Sequence, residues 1–207
     1  MNLRWHLTES IDQVLAAARY LWLRHMLLPP PATFLEIGIG YWQASECASG
    51  DLDPETCDMH CDGYGNAGVE GNPEHAVIAA GIRPNDRVVT LDIGTDPLPF
   101  HTSSYATVMC PEVLEHLDRE QWDFAVAECW RVAARQLLIT IPYVAETQID
   151  PPFDRLDFPQ WDRHRWLPCP EDMLAVLHDA CPDAVGETCR VVAGHFLCAQ
   201  IVKRAWW

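Results

Sequence analysis

The run EVLEHL at 112–117 sets two carboxylates and an imidazole, Glu112, Glu115 and His116, close together in the chain. A histidine there can orient an acceptor or take its proton near neutrality, because its ordinary pKa is about 6.5. The plainer reading is that Glu115 and His116 only cap the packing of the next helix. A second histidine stands in HRW at 164–166. His164, Arg165 and Trp166 belong to a proline- and aromatic-rich stretch, 144–169, that reads as a lid over a substrate, with Tyr143 just before it. For Trp161 and Trp166 simple packing is the competing reading.

A further set of polar groups falls at the ends of apolar runs. Glu36 precedes Gly38 and Gly40 in FLEIGIG, Asp92 ends RVVTLDI, and Cys110-Pro111-Glu112 follows YATVMC. Glycine lets a backbone approach a ligand closely, and a carboxylate accepts from hydroxyl or ammonium groups. Alone, E-x-G-x-G is equally an ordinary strand-end turn. Cys47, Cys57, His60 and Cys61 offer thiolates and an imidazole suited to tetrahedral zinc. Their spacing, C-x9-C-x2-H-C, is not a standard knuckle, and buried thiols are the alternative.

These groups need elements to position them. Residues 8–28 read as a helix, with Ser10 and Gln13 as its capping box and Ile11, Val14, Ala18, Leu21 and Trp22 as its apolar stripe. Pro29–Pro31 end it. ATFLEIG, RVVTLDI, YATVMC and QLLITIP read as buried strands, and TCRVVA and HFLCAQIVK, joined at Gly194, as a final pair. Helices are expected at 73–81, at 118–134 (apolar set Phe124, Ala127, Trp130 and Val132) and at 171–180. Residues 41–72, rich in Gly, Asp and Cys, read as an irregular insertion. Strand and helix alternate and the central strands are apolar throughout, which predicts an α/β fold: a mostly parallel sheet, helices on both faces, and one antiparallel strand in the C-terminal pair. Residues 1–31 then form a helix packed on a core of 32–207.

The chain has 207 residues, enough for one domain with a real core. Thirty acids face fourteen bases, for a net charge of −16, and Lys203 is the single lysine. Such a surface repels phosphate backbones, so nucleic acid is not an expected partner. The nine cysteines, several of them inside apolar runs (Cys110, Cys129, Cys198), suit a reducing, cytoplasmic setting. No run is apolar enough for a membrane span.

FLEIGIG at 34–40, DPLPF at 96–100, VMCPEVLEHL at 108–117 and AECWRVAARQLLITIPY at 127–143 occur in the order that makes the chain resemble the class I S-adenosylmethionine-dependent methyltransferases, in particular their small-molecule branch. HRW before a helix resembles that branch too. The resemblance covers about 32–202, with 41–87 poorly matched. It implies a Rossmann-like sandwich, S-adenosyl-L-methionine as cofactor, and methyl transfer to the oxygen or nitrogen of a small, partly aromatic molecule. Glu36, Gly38 and Gly40 would hold the methionine end, and an acid ending the second strand would take both ribose hydroxyls. The main chain of Met109–Glu112, including Cys110, would line the other side. His116 and His164 would act on the acceptor; Tyr143, Arg165 and Trp166 would contact it.

The sequence departs from the pattern after Gly40, where Tyr41 and Trp42 replace the usual third glycine. Tyr41 then becomes a cofactor contact or an obstruction. The ribose acid has two candidates, Asp53 (with Asp51 beside it in GDLDPE) and Asp92, which could instead close the third strand. Two alternatives follow: an inactive methyltransferase-like scaffold contacting a protein partner or a second copy of itself, for instance through Trp206 and Trp207, or a cyclase or hydrolase on the same fold. A dehydrogenase is disfavoured, since G-x-G-x-x-G would need glycine at Gln43.

Overall fold

A computed structural model describes residues 21–23, 25–26, 32–39, 65–82, 87–143 and 164–203. Four-residue β1 (Phe34–Ile37) is buried at every position. Next come β2 (Gly65–Glu70), α1 (Pro73–Ile82), β3 (Arg87–Thr90) and β4 (Tyr105–Pro111). A 3-10 turn (Leu114–His116) leads into α2 (Arg119–Val132), followed at once by β5 (Ala133–Pro142), α3 (Pro170–Ala180), β6 (Ala184–Val192) and β7 (Phe196–Lys203). The strands form one seven-stranded sheet in the order β3-β2-β1-β4-β5-β7-β6. Pairing is parallel from β3 to β5, and β7 runs antiparallel to both its neighbours. The expected parallel α/β sheet with one reversed C-terminal strand is therefore present.

Strand periodicity sorts the core onto the two sheet faces. Val108, Cys110, Leu137, Ile139, Leu197 and Ala199 join Trp122, Val126, Cys129, Met173 and Leu177 of α2 and α3 in the larger cluster. Met109, Leu138 and Cys198, the alternate positions, meet Phe34, Trp22 and Leu23 on the other. Residues 21–23 are helical, and this short segment contributes Trp22 and Leu23 to that cluster. The Gln136 amide anchors it there, donating to the Met26 carbonyl at 2.7 Å and to Thr107 Oγ1 at 3.0 Å while accepting from Gln200 Nε2 at 2.9 Å.

Several expectations need correction. Leu21 is 60% exposed, and Leu23 takes the buried place assigned to it. In α2 the buried face is Trp122, Ala125, Val126, Cys129, Trp130 and Val132, whereas Phe124 is 39% exposed. The stripe is rotated because Trp122, the largest fully buried side chain, sets it. Residues 65–70 are not irregular but form β2, between β1 and β3. Residues 41–64, 1–20 and 144–163 of the lid-like segment lie outside the described residues.

Gly68 of β2 has a packing cause. A Cβ on Gly68 would stand 2.6 Å from Ile39 Cγ2 and 2.9 Å from its Cδ1. Ile39 leaves the β1 turn fully buried and occupies the space above Gly68. A larger side chain at this position would not fit beneath it.

The loop between β3 and β4 is clamped by an ion pair. Arg131 donates to Glu128 at 2.8 Å and to the carbonyls of Leu98 and Phe100 at 2.9 Å, and Glu128 Oε2 accepts from the Leu98 N–H at 2.9 Å. This explains why DPLPF, with no regular structure of its own, is ordered. Bonding to Arg131 holds the Glu128 carboxyl below its ordinary pKa.

Gly68→Ala should cost about 1–3 kcal/mol by overpacking, measured by denaturant unfolding, and should cost less when introduced into the Ile39→Ala background. The Glu128 contribution to stability is present above the ordinary glutamate range and is lost as pH falls through the lowered folded-state value. Unfolding curves across acid pH should accordingly be shallower in Glu128→Gln than in the parent.

Candidate active site

In an open parallel sheet, ligands lie beyond the carboxyl ends of the strands where the chain order reverses. That point lies between β1 and β4, because β1 leads outward to β2 and β3 before the chain crosses back to β4. Glu36 sits at the end of β1, 2% exposed, with Gly68 of β2 and Met109 of β4 as its neighbours in register. Strand alternation puts its side chain on the face of Phe34, the face that the N-terminal helix covers. Gly38 then turns the chain at φ +74°, donating its N–H to the Val69 carbonyl at 2.7 Å. A Cβ there would lie 2.1 Å from Val113 Cγ2, so only glycine fits the turn against the β4 loop.

Glu70 ends β2 and is 8% exposed. Its carbonyl accepts from the Leu91 N–H at 3.1 Å, and its Oε1 accepts from the Asn72 N–H at 2.9 Å. It is a carboxylate at the end of the second strand, a place that the reading of the sequence left to Asp53 or Asp92. The missed signal was the repeated texture of acid before glycine, in FLEIG, GVEG and TLDIG alike. Asp92 instead lies two residues past β3, its Oδ1 accepting from the Gly94 N–H at 2.9 Å and its carbonyl from Thr95 and Asp96. It thus belongs with the third strand and caps the turn there. Gly40, Tyr41 and Asp53 lie outside the described residues, as do Cys47, Cys57, His60 and Cys61.

The β4 end is the most constrained of the row. Glu112 has φ +55°, a left-handed conformation that costs an L-residue with a long side chain roughly 1–2 kcal/mol. Two bonds to Thr140 of β5 hold it there: the Glu112 N–H donates to the Thr140 carbonyl at 2.8 Å and Thr140 Oγ1 donates to Glu112 Oε1 at 3.0 Å. Strain of this kind concentrates at functional sites. The Cys110 side chain turns away into the core, where its hydrogen bond with Cys129, together with burial, keeps the thiol pKa well above its ordinary value. Only its main chain remains for a ligand.

His116 and His164 are brought together from distant segments, with ring centroids 5.2 Å apart. A main-chain clamp does this: the Glu115 carbonyl accepts from Arg165 N–H at 2.6 Å and from Trp166 N–H at 3.3 Å. Side chains reinforce it. Arg165 donates to both oxygens of Asp118, at 3.0 and 2.9 Å, Trp166 meets Trp122 edge to face at 4.5 Å, and Arg119 lies 4.9 Å from the Trp166 ring. Arg165 and Trp166 therefore have structural partners here. Tyr143 packs partly buried against the core, its N–H donating to the His195 carbonyl at 2.7 Å.

Comparison with solved structures agrees with this fold. A TehB-like SAM-dependent methyltransferase from Corynebacterium glutamicum superposes with a TM-score of 0.58 at 15% identity, over 91% of this chain and 88% of that one. The chain has the class I methyltransferase fold. A possible histamine N-methyltransferase from Thermotoga maritima matches with a TM-score of 0.59 at 13% identity, over 96% of this chain and 97% of the other. Phosphoethanolamine N-methyltransferase 2 of Haemonchus contortus, in complex with S-adenosyl-L-methionine, reaches 0.63 at 12% identity, over 94% of this chain and 53% of that larger one. No family model matches the chain, and no curated protein matches it in sequence. At these identities the likeness is one of fold.

Glu112→Gly should separate strain from function. It removes a left-handed L-residue, so thermal unfolding should show stability unchanged or raised despite the lost bond from Thr140. Ligand binding at this crevice should weaken in the same variant. A clear loss of stability would mean that Glu112 is a packing residue.

Proposed function

We propose that the chain is an S-adenosyl-L-methionine-dependent methyltransferase acting on a small, partly aromatic molecule through oxygen or nitrogen. The observation that carries this is the row of strand ends around the reversal point of a methyltransferase fold, where Glu36, Gly38, Glu70 and the strained Glu112 stand at the ends of β1, β2 and β4. The methionine end of the cofactor is assigned to Glu36 and the β1 turn, continuing to Gly40 and Tyr41. The ribose is assigned to Glu70, because two neighbouring hydroxyls can each donate to one carboxylate oxygen. Asp92 and the turn it caps are assigned to the adenine end, and the main chain of Cys110–Glu112 to the other wall.

The acceptor attacks the cofactor methyl in line, and the protein contributes chiefly by holding the reactants in contact and excluding water. The His116–His164 pair is assigned to the acceptor, orienting it and governing loss of its proton. Trp166 and Tyr143 supply aromatic surface on the same side. Among the described residues no helix is long and apolar enough to cross a membrane.

Calorimetric titration with S-adenosylmethionine and S-adenosylhomocysteine tests the reading. Both should bind. Glu70→Gln should weaken them by about tenfold or more, the equivalent of ~1.5–3 kcal/mol for hydrogen bonds to a charged group. Asp92→Asn should have a smaller effect, and Asp53→Asn a smaller one still. If neither ligand binds the folded protein, the scaffold reading replaces the enzyme.

A further inference from the structure

The two histidines of the acceptor side have a third companion. Glu115, His116 and His164 each present one ligating atom, and these three atoms all lie within 4.8 Å of one another. We propose that they form a divalent transition-metal site, with zinc the best-fitting ion. Two imidazoles and one carboxylate are a known type of zinc donor set that leaves a coordination position open. The same set also suits iron and other borderline cations.

Three features of the geometry support this. First, Glu115 is 1% exposed, and attraction between its carboxylate and a cation is little screened by solvent there. His116 Nε2 stands 3.9 Å from Glu115 Oε1, close enough for attraction but too long for a hydrogen bond. Second, ligands around a tetrahedral ion with bonds of about 2.0–2.1 Å are roughly 3.4 Å apart. The present separations need only a modest contraction, which rotation of two partly exposed imidazoles can supply. Third, the site is held in advance. The Glu115 carbonyl clamps the main chain of Arg165 and Trp166, so His164 is fixed relative to the very residue that supplies the carboxylate. The Arg165–Asp118 pair and the Trp122–Trp166 contact lock the same junction.

His116 and His164 are only partly buried, so an ion can enter from solvent and its remaining positions are open to water or to an oxygen of the acceptor. Its ligands are other residues than Cys47, Cys57, His60 and Cys61, which lie outside the described residues. It rests on the methyltransferase reading only in assigning the open positions to the acceptor. A bound cation would lower the pKa of a coordinated hydroxyl, favouring an oxygen acceptor over an amine.

Metal-stripped protein titrated with Co2+, a spectroscopic substitute for Zn2+, tests the site. The expected result is one equivalent bound tightly, with visible ligand-field bands and no thiolate-to-cobalt charge transfer, displaced by Zn2+. His164→Ala and Glu115→Gln should each weaken binding by at least about tenfold, and His164→Asp, which keeps a ligating oxygen, should retain more affinity than His164→Ala. Circular dichroism identifies any variant that fails to fold, and His164→Ala, at a partly exposed position, keeps the test open if Glu115→Gln does not fold. The proposal is overturned if no cobalt binds, if His164→Ala binds as tightly as the parent, or if all binding carries a thiolate band and disappears on replacing Cys47, Cys57 and Cys61 by serine. S-adenosylmethionine titration of the same samples reports on the methyltransferase reading separately. Cobalt binding without cofactor binding would leave the cation site in place and remove that reading.

Discussion

β1 is four residues long, yet the arrangement of the site depends on its pairing in parallel with β2 on one side and β4 on the other. Both neighbours are recruited through the same few peptides, so its residues must be buried on both faces and its exit must be abrupt. Gly38 provides that exit. Its left-handed turn and its N–H bond to Val69 swing the chain off the sheet while Val113, from the β4 loop, closes over the place where a side chain would be. Ile39 then fills the space above Gly68. One short strand thus dictates a glycine in its own turn, a small residue in β2 and the fit of the β4 loop, three requirements spread over the chain.

The strand ends of β1–β3 and the His116–His164 junction are held by different means. In the first, main-chain register and turn caps do the work, as in Asn72 on Glu70 and Gly94 on Asp92. In the second, the Glu115 carbonyl joins the turn after β4 to the segment before α3. The first is an extension of the sheet and shares its cooperativity. The second is a local junction whose stability comes from one aromatic contact and one forked ion pair, the latter largely exposed and so worth at most ~1 kcal/mol.

Much of this was legible in the residues. β1, β4 and β5 are apolar runs ended by glycine or proline, β7 is an apolar run entered after Gly194, and their order with the intervening helices implied the parallel sheet. β2 was hidden because its sequence, GNAGVE, holds a single branched residue, and at Gly68 the packing of Ile39 leaves no room for one. The α2 stripe was displaced because Phe124 and Ala127 share Trp130 with the true buried face, and periodicity alone does not say which neighbours of a shared residue turn inward. The proximity of His116 and His164 was implied only by the family resemblance of EVLEHL and HRW, since main-chain hydrogen bonds create it and any residue types could make those bonds. Glu70, in turn, could be valued as a strand-end acid only once its strand was known.

The junction between α2 and β5 has a consequence for the history of the chain. Val132 ends the helix and Ala133 begins the strand, with no loop residue between them. Because side chains alternate along a strand, one inserted residue here would either be absorbed by unwinding the helix or would turn Leu137, Ile139 and Ile141 out of the core. The β6–β7 turn, where Ala193 and Gly194 already adopt left-handed conformations, has no such coupling. Changes of length should therefore accumulate at the far edge of the sheet and be purged at its centre, so that the spacing from Trp122 to Tyr143 is the most durable measure of kinship this chain carries.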